Sequence, residues 1–346
     1  MTELTYSFVR RGSDFAELMR AVKERGLLRR RPGDYAWKLA LNATLFVLGW
    51  VAFALVGASW WNLLTGAFFA LVYAQLAFLG HDAGHKQVFA GRRANDVAGY
   101  LLGALVGMSF AWWVSKHNRH HAYPNHEEDD PDLDIAVLAF TEQQAADKRG
   151  FSRWMTKYQA FLFFPLLLLE GLSLHNSSAV AVLRGRVKAR RLEAVLLAAH
   201  FAGYLAAVFL VLTPLQALAF IAVHQGLWGL YMGCSFAPNH KGMPTLKAGE
   251  KLDHLRKQVL TSRNVRGGRI TDFALGGLNY QIEHHLFPSM PRANLRRAQP
   301  LVEDFCRRLG LPYHQSSAFS SYLQVLRHLH AVSAPLRAKS ITERLG

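Results

Sequence analysis

Cysteine is nearly absent: Cys234 and Cys306 are the two in 346 residues, and they form no Cys-x-x-Cys pair. That argues against a thiolate zinc site and, on a cytosolic face, against a structural disulfide. Charge is also scarce, at 18% of residues, where soluble domains carry about 25%. Acidic residues are the shorter set: 40 Lys and Arg against 24 Asp and Glu leave a net charge of +16. An excess of that sign suits anionic headgroups, nucleic acid or an acidic protein. No nucleic-acid-binding motif accompanies it, so nucleic acid is not an expected partner. The first 38 residues are charged and lack an apolar core, so they do not read as a secretory signal. Internal repeats and low-complexity segments are missing too.

What is abundant is apolar sequence, 51% of the chain, gathered into long runs. Residues 39–56 carry no charge, residues 57–62 interrupt, and 63–79 resume the run. Each arm is near the lower limit of about 17 residues for a spanning helix. Trp37 flanks one end of the first arm, and Trp60 with Trp61 the other, as interfacial aromatics do. A second hairpin follows at 192–212 and 215–233, broken at Thr213 and Pro214. Residues 1–38 hold nine Lys or Arg and 184–191 hold five, while the tight turns 57–62 and 213–216 hold none. The positive-inside rule then places both termini in the cytoplasm. The expected fold is an all-α integral membrane protein with four transmembrane helices in two hairpins, interfacial helices and a cytosolic cap. Its expected parts are a basic segment 1–38, a membrane domain 39–315 and a peripheral C-terminal tail 316–346. Residues 291–310 read as a cytosolic helix.

The 16 histidines are clustered. His81 and His85 lie four apart where the second span ends, on one helical face if the helix continues. His117, His120 and His121 repeat that spacing, as do Gln281, His284 and His285 with glutamine first. One i, i+4 pair is more often a surface coincidence; three such clusters expected on one membrane face are not. His240 follows the fourth span and emerges on the same face. Eight imidazoles exceed the roughly six ligands one ion accepts, so two ions are expected. Spacing does not choose among iron, zinc and copper. His200 and His224 fall inside spans and read more readily as bonded to neighbouring helices. The apolar stretches 97–114 and 161–174 read as interfacial or re-entrant, because a crossing at 97–114 would part the first two clusters.

The motifs HDAGH (81–85), HNRHH (117–121) and QIEHH (281–285) resemble, in this order around two hydrophobic hairpins, the three histidine boxes of membrane fatty acid desaturases. HHAYPNHEEDDPDLD (120–134), SFAPNHKGMP (235–244) and NYQIEHHLFPSMPRANL (279–295) extend the likeness over roughly residues 60–315. Gln281 in place of histidine is the mark of the front-end subgroup, which inserts a double bond between an existing one and the carboxyl end. The resemblance implies two non-haem irons, held by His81, His85, His117, His120, His121, His240, His284 and His285 with Gln281 near the metal. O2 is the implied co-substrate, and an acyl lipid carried on CoA, acyl carrier protein or phospholipid is the implied substrate. The chain has no HPGG haem motif, so the expected electron donor is a separate protein, a ferredoxin or a b-type cytochrome with its reductase.

Asp82, Asn118, Asn239 and Glu283 sit in or beside these motifs and are the candidates to orient the ligands. The acidic run 127–134 reads as a solvated loop, with contact to the electron donor or to the second box as the alternative. Trp112, Trp113, Trp228 and Tyr231 read as packing rather than as the wall of an acyl tunnel. Two other functions compete. A hydroxylase or ketolase of the same superfamily would share the ligands. A histidine-lined metal transporter would place its histidines within the spans, whereas these clusters lie beyond the span ends.

Overall fold

The computed structural model describes residues 13–247 and 249–337; the start of the basic N-terminal segment and the last nine residues lie outside them. Helix α1 (Asp14–Glu24) starts on Ser13, whose side chain caps Ala16 N–H. Four long apolar helices follow the hydropathy: α2 (Pro32–Val56), α3 (Asn62–Gly84), α10 (Arg190–Val211) and α11 (Pro214–His240). Pro32 and Pro214 open α2 and α11 at the first helical turn, where a missing N–H costs nothing. All four are long enough to cross a bilayer at about 1.5 Å per residue. Their burial differs. In α2 and α10 17% of the apolar window is buried, in α3 56% and in α11 44%. Thus α3 and α11 form the inner pair, and α2 and α10 present their apolar sides outward.

The inner helices outrun the hydrophobic segments seen in the sequence. Continuous α-helix carries α3 past residue 79 to Gly84 and α11 past 233 to His240. The last turn of α3 thus contains His81, and α11 ends on His240 itself.

Between the hairpins, the two further apolar stretches form bent pairs. Helix α4 (Arg92–Leu105) meets α5 (Phe110–Ala122) at 109°. The turn passes through Gly107 at φ +70°, where a Cβ would lie 2.6 Å from His200 Nε2. Ser109 caps α5, accepting from Trp112 N–H. Glu193, buried at the start of α10, accepts from Ala111 N–H at 2.8 Å and from the Ser109 hydroxyl. A carboxylate at this end also suits the helix dipole. Short helices α6 (Glu142–Asp147) and α7 (Gly150–Lys157) lead to α8 (Gln159–Leu167), which bends by 72° into α9 (Glu170–Leu183). Backbones of α9 and α11 nearly touch: a Cβ on Gly229 would lie 2.6 Å from Gly171 N, the approach small residues permit in membranes.

The cap comprises α12 (His254–Leu260), β1 (Asn264–Arg266), α13 (Arg269–Ala274), α14 (Gln281–Leu286), α15 (Arg292–Arg308), β2 (Gln315–Ser317) and α16 (Ala318–Val332). Helix α15 runs unbroken through Pro300. The parallel pair β1–β2 had no signal in the sequence. Nor is the C-terminal helix a peripheral tail. Val325 and Leu329 of α16 are fully buried against Phe163, Leu167 and Ala237, and Tyr322 donates to Cys234 O of α11 at 2.6 Å. Helix α1 is likewise part of the cap core, with Leu18 and Val22 packed among α12, α14 and α15.

Because Glu193 is the acceptor that ties α5 to α10, Glu193→Ala leaves two donors of the α5 N-terminus bare. The expected loss is about 1.5–3 kcal/mol, the range for a hydrogen bond to a charged group. A lowered melting temperature of the detergent-purified variant checks it; an unchanged one removes the cap from the stability of α5.

Candidate metal centre

Helical spacing brings the histidines of each cluster to one face, and the packing of α3, α5, α11 and α14 then turns those faces inward. They do not form one pool. His81, His85, His117 and His284 make one group, and His120, His240 and His285 a second; within each, one candidate ligand atom per residue lies within 4.8 Å of all the others. Neighbouring residues part company: His117 serves the first group and His120 the second, as do His284 and His285. In the first group, His81 Nε2 is 3.1 Å from His284 Nε2, and His85 Nε2 is 2.9 Å from His117 Nε2. In the second, His240 Nε2 is 3.3 Å from His120 Nε2 and 3.1 Å from His285 Nε2. His121 stands between them, with Nε2 3.1 Å from His117 Nε2 and its ring stacked 4.1 Å from that of His285. Gln281 completes the second group's surroundings, its amide nitrogen 2.9 Å from His240 Nε2.

Outward-facing nitrogens set the proton positions. His240 Nδ1 faces the Thr261 carbonyl at 2.9 Å, an acceptor only, so Nδ1 carries the hydrogen and Nε2 a bare lone pair. Gln258 holds His285 in the same way: its Nε2 donates to His121 O at 2.8 Å, which leaves Oε1 to accept from His285 Nδ1 at 2.9 Å. Asp130 accepts from His120 Nδ1 at 2.9 Å. Asp82 lies 3.1 Å from His81 Nδ1 and is itself held by Arg292 at 2.6 Å. His240 and His285, held through Nδ1, turn Nε2 lone pairs into the second group, and the acids behind His81 and His120 favour the same tautomer, an arrangement that suits a cation among them. Burial, with nearby His81 and His85 adding to it, pushes His284 well below the usual histidine range; burial and nearby His121 do the same for His285. Both rings are thus neutral, the form that ligates metal.

The other candidates separate. Asn239 donates to Gln281 Oε1 at 3.1 Å and to Ser235 O. Glu283 points away from the imidazoles: its oxygens accept from Asn264 and from Tyr313 at 2.8 Å, and burial pushes its carboxyl up to about 7. Asn118 lies on the exposed side of α5. His200 and His224 join neither group; His224 Nδ1 is 2.8 Å from the Tyr204 hydroxyl.

Three partners of the centre were not singled out from the sequence: Asp130, Gln258 and Thr261. Asp130 lay in the acidic run read as a solvated loop, yet its side chain is buried, accepting also from Asn125 N–H and Asp132 N–H. Its distance of ten residues from His120 was the available signal. Gln258 and Thr261 carry no motif at all.

Beside the first group lies a partly open apolar hollow. Leu76, Gly80 and His81 form one wall, with Leu102, Trp113 and Met232 among the others. Trp113, taken from the sequence as packing, thus faces this space and also stacks on His117 at 4.5 Å. Trp228 is fully buried packing.

Asp130→Asn keeps the shape but loses the carboxylate opposite His120 Nδ1. Partners of this kind are worth about 10- to 100-fold in metal affinity. Chelator competition followed by elemental analysis is expected to show the variant releasing metal at correspondingly lower chelator; equal retention would detach Asp130 from the site.

Comparison with known proteins places this geometry. The fatty acid desaturase family model matches residues 58–317. The chain is 32% identical over 341 residues to the acyl-lipid (9-3)-desaturase of Physcomitrium patens, covering 92% of this chain and 62% of that protein. It is 30% identical over 346 residues to the Delta(6)-fatty-acid desaturase fat-3 of Caenorhabditis elegans, covering 94% and 76%. With human fatty acid desaturase 3 it shares 32% over 335 residues, covering 91% and 72%. It therefore spans less than two thirds of the moss protein and about three quarters of the other two. The match across residues 58–317 and these identities along nearly the whole chain establish that it belongs to the fatty acid desaturase family.

Proposed function

We propose that this membrane protein is an O2-dependent acyl desaturase with front-end regioselectivity, working at a histidine-held di-iron centre. The observation that carries the reading is the junction of the two groups of bare imidazole nitrogens with an apolar chamber, sharing His81 as a common wall. His81, His85, His117 and His284 would hold one iron and His120, His240 and His285 the other. His121 stands within reach of both, and Gln281 stands as a neutral amide beside His240. When bound, the iron pair supplies the redox chemistry with O2 that removes hydrogen from an unactivated methylene. In the net reaction the acyl chain loses two hydrogens and gains a double bond, while O2 takes up those two hydrogens together with two electrons and two protons to give two waters.

The residues of the chain do the positioning. Leu76, Gly80, Leu102 and Met232 keep the chamber dry and lay an acyl chain along the His81 face. Asp82 and Asp130 fix the rings of His81 and His120 and supply negative charge behind cationic metal. Gln281 at the head of the third box supports the front-end assignment, as do relatives named Delta(6)- and Delta(8)-fatty-acid desaturase. The electrons reach the site from outside these 346 residues, which contain no HPGG motif; the basic cap suits an acidic donor, whether a ferredoxin or a b-type cytochrome. The basic loops support a cytoplasmic location for both termini and for the metal centre.

The test is the fatty acid profile, with double bonds located by mass spectrometry, of a host that expresses the chain with a redox donor, beside an empty-vector control. A new double bond on the carboxyl side of an existing one is expected; a hydroxylated product would overturn the desaturase assignment. The chamber makes a sharper forecast. Gly80 is helical, and a Cβ there would meet nothing nearer than Leu102 Cβ at 3.7 Å. Gly80→Ala is expected to fold and turn over. Gly80→Leu, which fills the space beside His81, is expected to keep its metal and melting temperature while product formation falls at least tenfold. Equal product from both variants would remove the acyl chain from this chamber.

A further inference from the structure

Helix α13 has no role in the centre, yet its position is unusual. Its backbone is fastened to the two inner membrane helices: Gln75 of α3 donates to Phe273 O at 3.1 Å, and Tyr231 of α11 donates to Ala274 O at 2.7 Å. Gln75 lies six residues before His81, and Tyr231 nine before His240. At about 1.5 Å per residue, these anchors lie roughly 9 Å back along α3 from His81 and roughly 14 Å back along α11 from His240, within the two candidate spans. Side chains it turns outward there lie beside two candidate membrane spans. Those side chains are apolar: Ile270 is 85% exposed and Phe273 56%.

The segment leading into α13 is basic. Arg266 and Arg269 are exposed, and among the described residues neither makes an ion pair. The acid of α13, Asp272, is occupied by Arg296 at 3.3 Å and Asn279 at 2.9 Å. Just beyond α13, Gly276 presses on Phe78, where a Cβ would lie 2.4 Å from the ring, and Phe78 is on the chamber wall. An apolar pair alongside two candidate spans, two free guanidiniums beside it and the chamber behind it therefore occur in one short segment.

We propose that this segment is a docking lip for an anionic phospholipid. The phosphate meets Arg266 and Arg269, and the upper acyl region packs on Ile270 and Phe273 at the rim of the chamber. Guanidinium groups pair with phosphate in two parallel hydrogen bonds, and an amphipathic helix buries its apolar side at the headgroup boundary. A water-soluble acidic protein would leave Ile270 and Phe273 without a suitable partner. The inference rests on the acyl reading of the chamber only for its purpose; the lipid contact itself is measurable without turnover.

The experiment uses the full chain in nanodiscs of phosphatidylcholine with phosphatidylglycerol, one of the two brominated at a time. Phe273→Trp is expected to show fluorescence quenching by brominated lipid beyond that of the wild type, and more with brominated phosphatidylglycerol than with brominated phosphatidylcholine. Adding Arg266→Gln and Arg269→Gln is expected to keep the quenching and lose the preference. Absence of excess quenching would overturn the lip, and quenching without preference would overturn its anionic specificity. If the arginine pair changes electron delivery from an acidic donor but not the lipid preference, the surface belongs to the donor. A quenched lip on a protein that makes no unsaturated product would leave the lip standing and remove the desaturase reading instead.

Discussion

The constraint on which the rest depends is the mutual repulsion of unprotonated imidazole nitrogens. Seven rings gather into two small groups, with His121 between them and several Nε2 atoms about 3 Å apart. That arrangement is unfavourable unless a cation lies among them, and burial keeps His284 and His285 from relieving it by taking protons. The surrounding protein therefore holds four of the rings from behind. It does so with acceptors on Nδ1: a backbone carbonyl for His240, an amide oxygen for His285 and carboxylates for His81 and His120.

Membrane helices make that hold rigid. Because α3 and α11 continue as unbroken helix from apolar segment to histidine, the positions of His81 and His240 follow from the packing of these two helices. The glycine contact between α9 and α11, and the Glu193 anchor on α5, extend the same rigidity to the bent elements. The cap then closes the centre from above. Helix α14 delivers His284 and His285 to different groups because consecutive residues on a helix diverge by about 100°. The buried carboxylates follow from the same logic. Asp82 is tolerated inside because Arg292 pairs with it, and Asp130 because His120 and two backbone N–H groups do.

Hydropathy read along the chain placed all four long helices, and the glycine and proline breaks placed their turns. Helical spacing placed each histidine cluster on one face, and the need to share a site argued against a simple crossing at 97–114, where the structure has a helix pair bent by 109°. These features are local: a run of apolar side chains, or ligands four apart, carries its meaning within a few turns of helix. Where local signals ran out, the reading did too. The acidic run 127–134 looked like loop because charge density alone cannot show that Asp130 turns inward, and the end of the chain looked peripheral because α16 finds its apolar partners on helices far off in sequence.

The sequence by itself thus determined the membrane architecture, the identity of the histidine ligand candidates and the kinship with desaturases. Only the tertiary structure decided that the ligands fall into two groups and which belongs to which. It also decided that Asp130, Gln258 and Thr261 stand behind them and that the apolar hollow meets His81. The reason is physical. Spacing on one helix is encoded by its own backbone geometry, whereas the meeting of His81 with His284, 203 residues apart, exists only once the helices that carry them have packed.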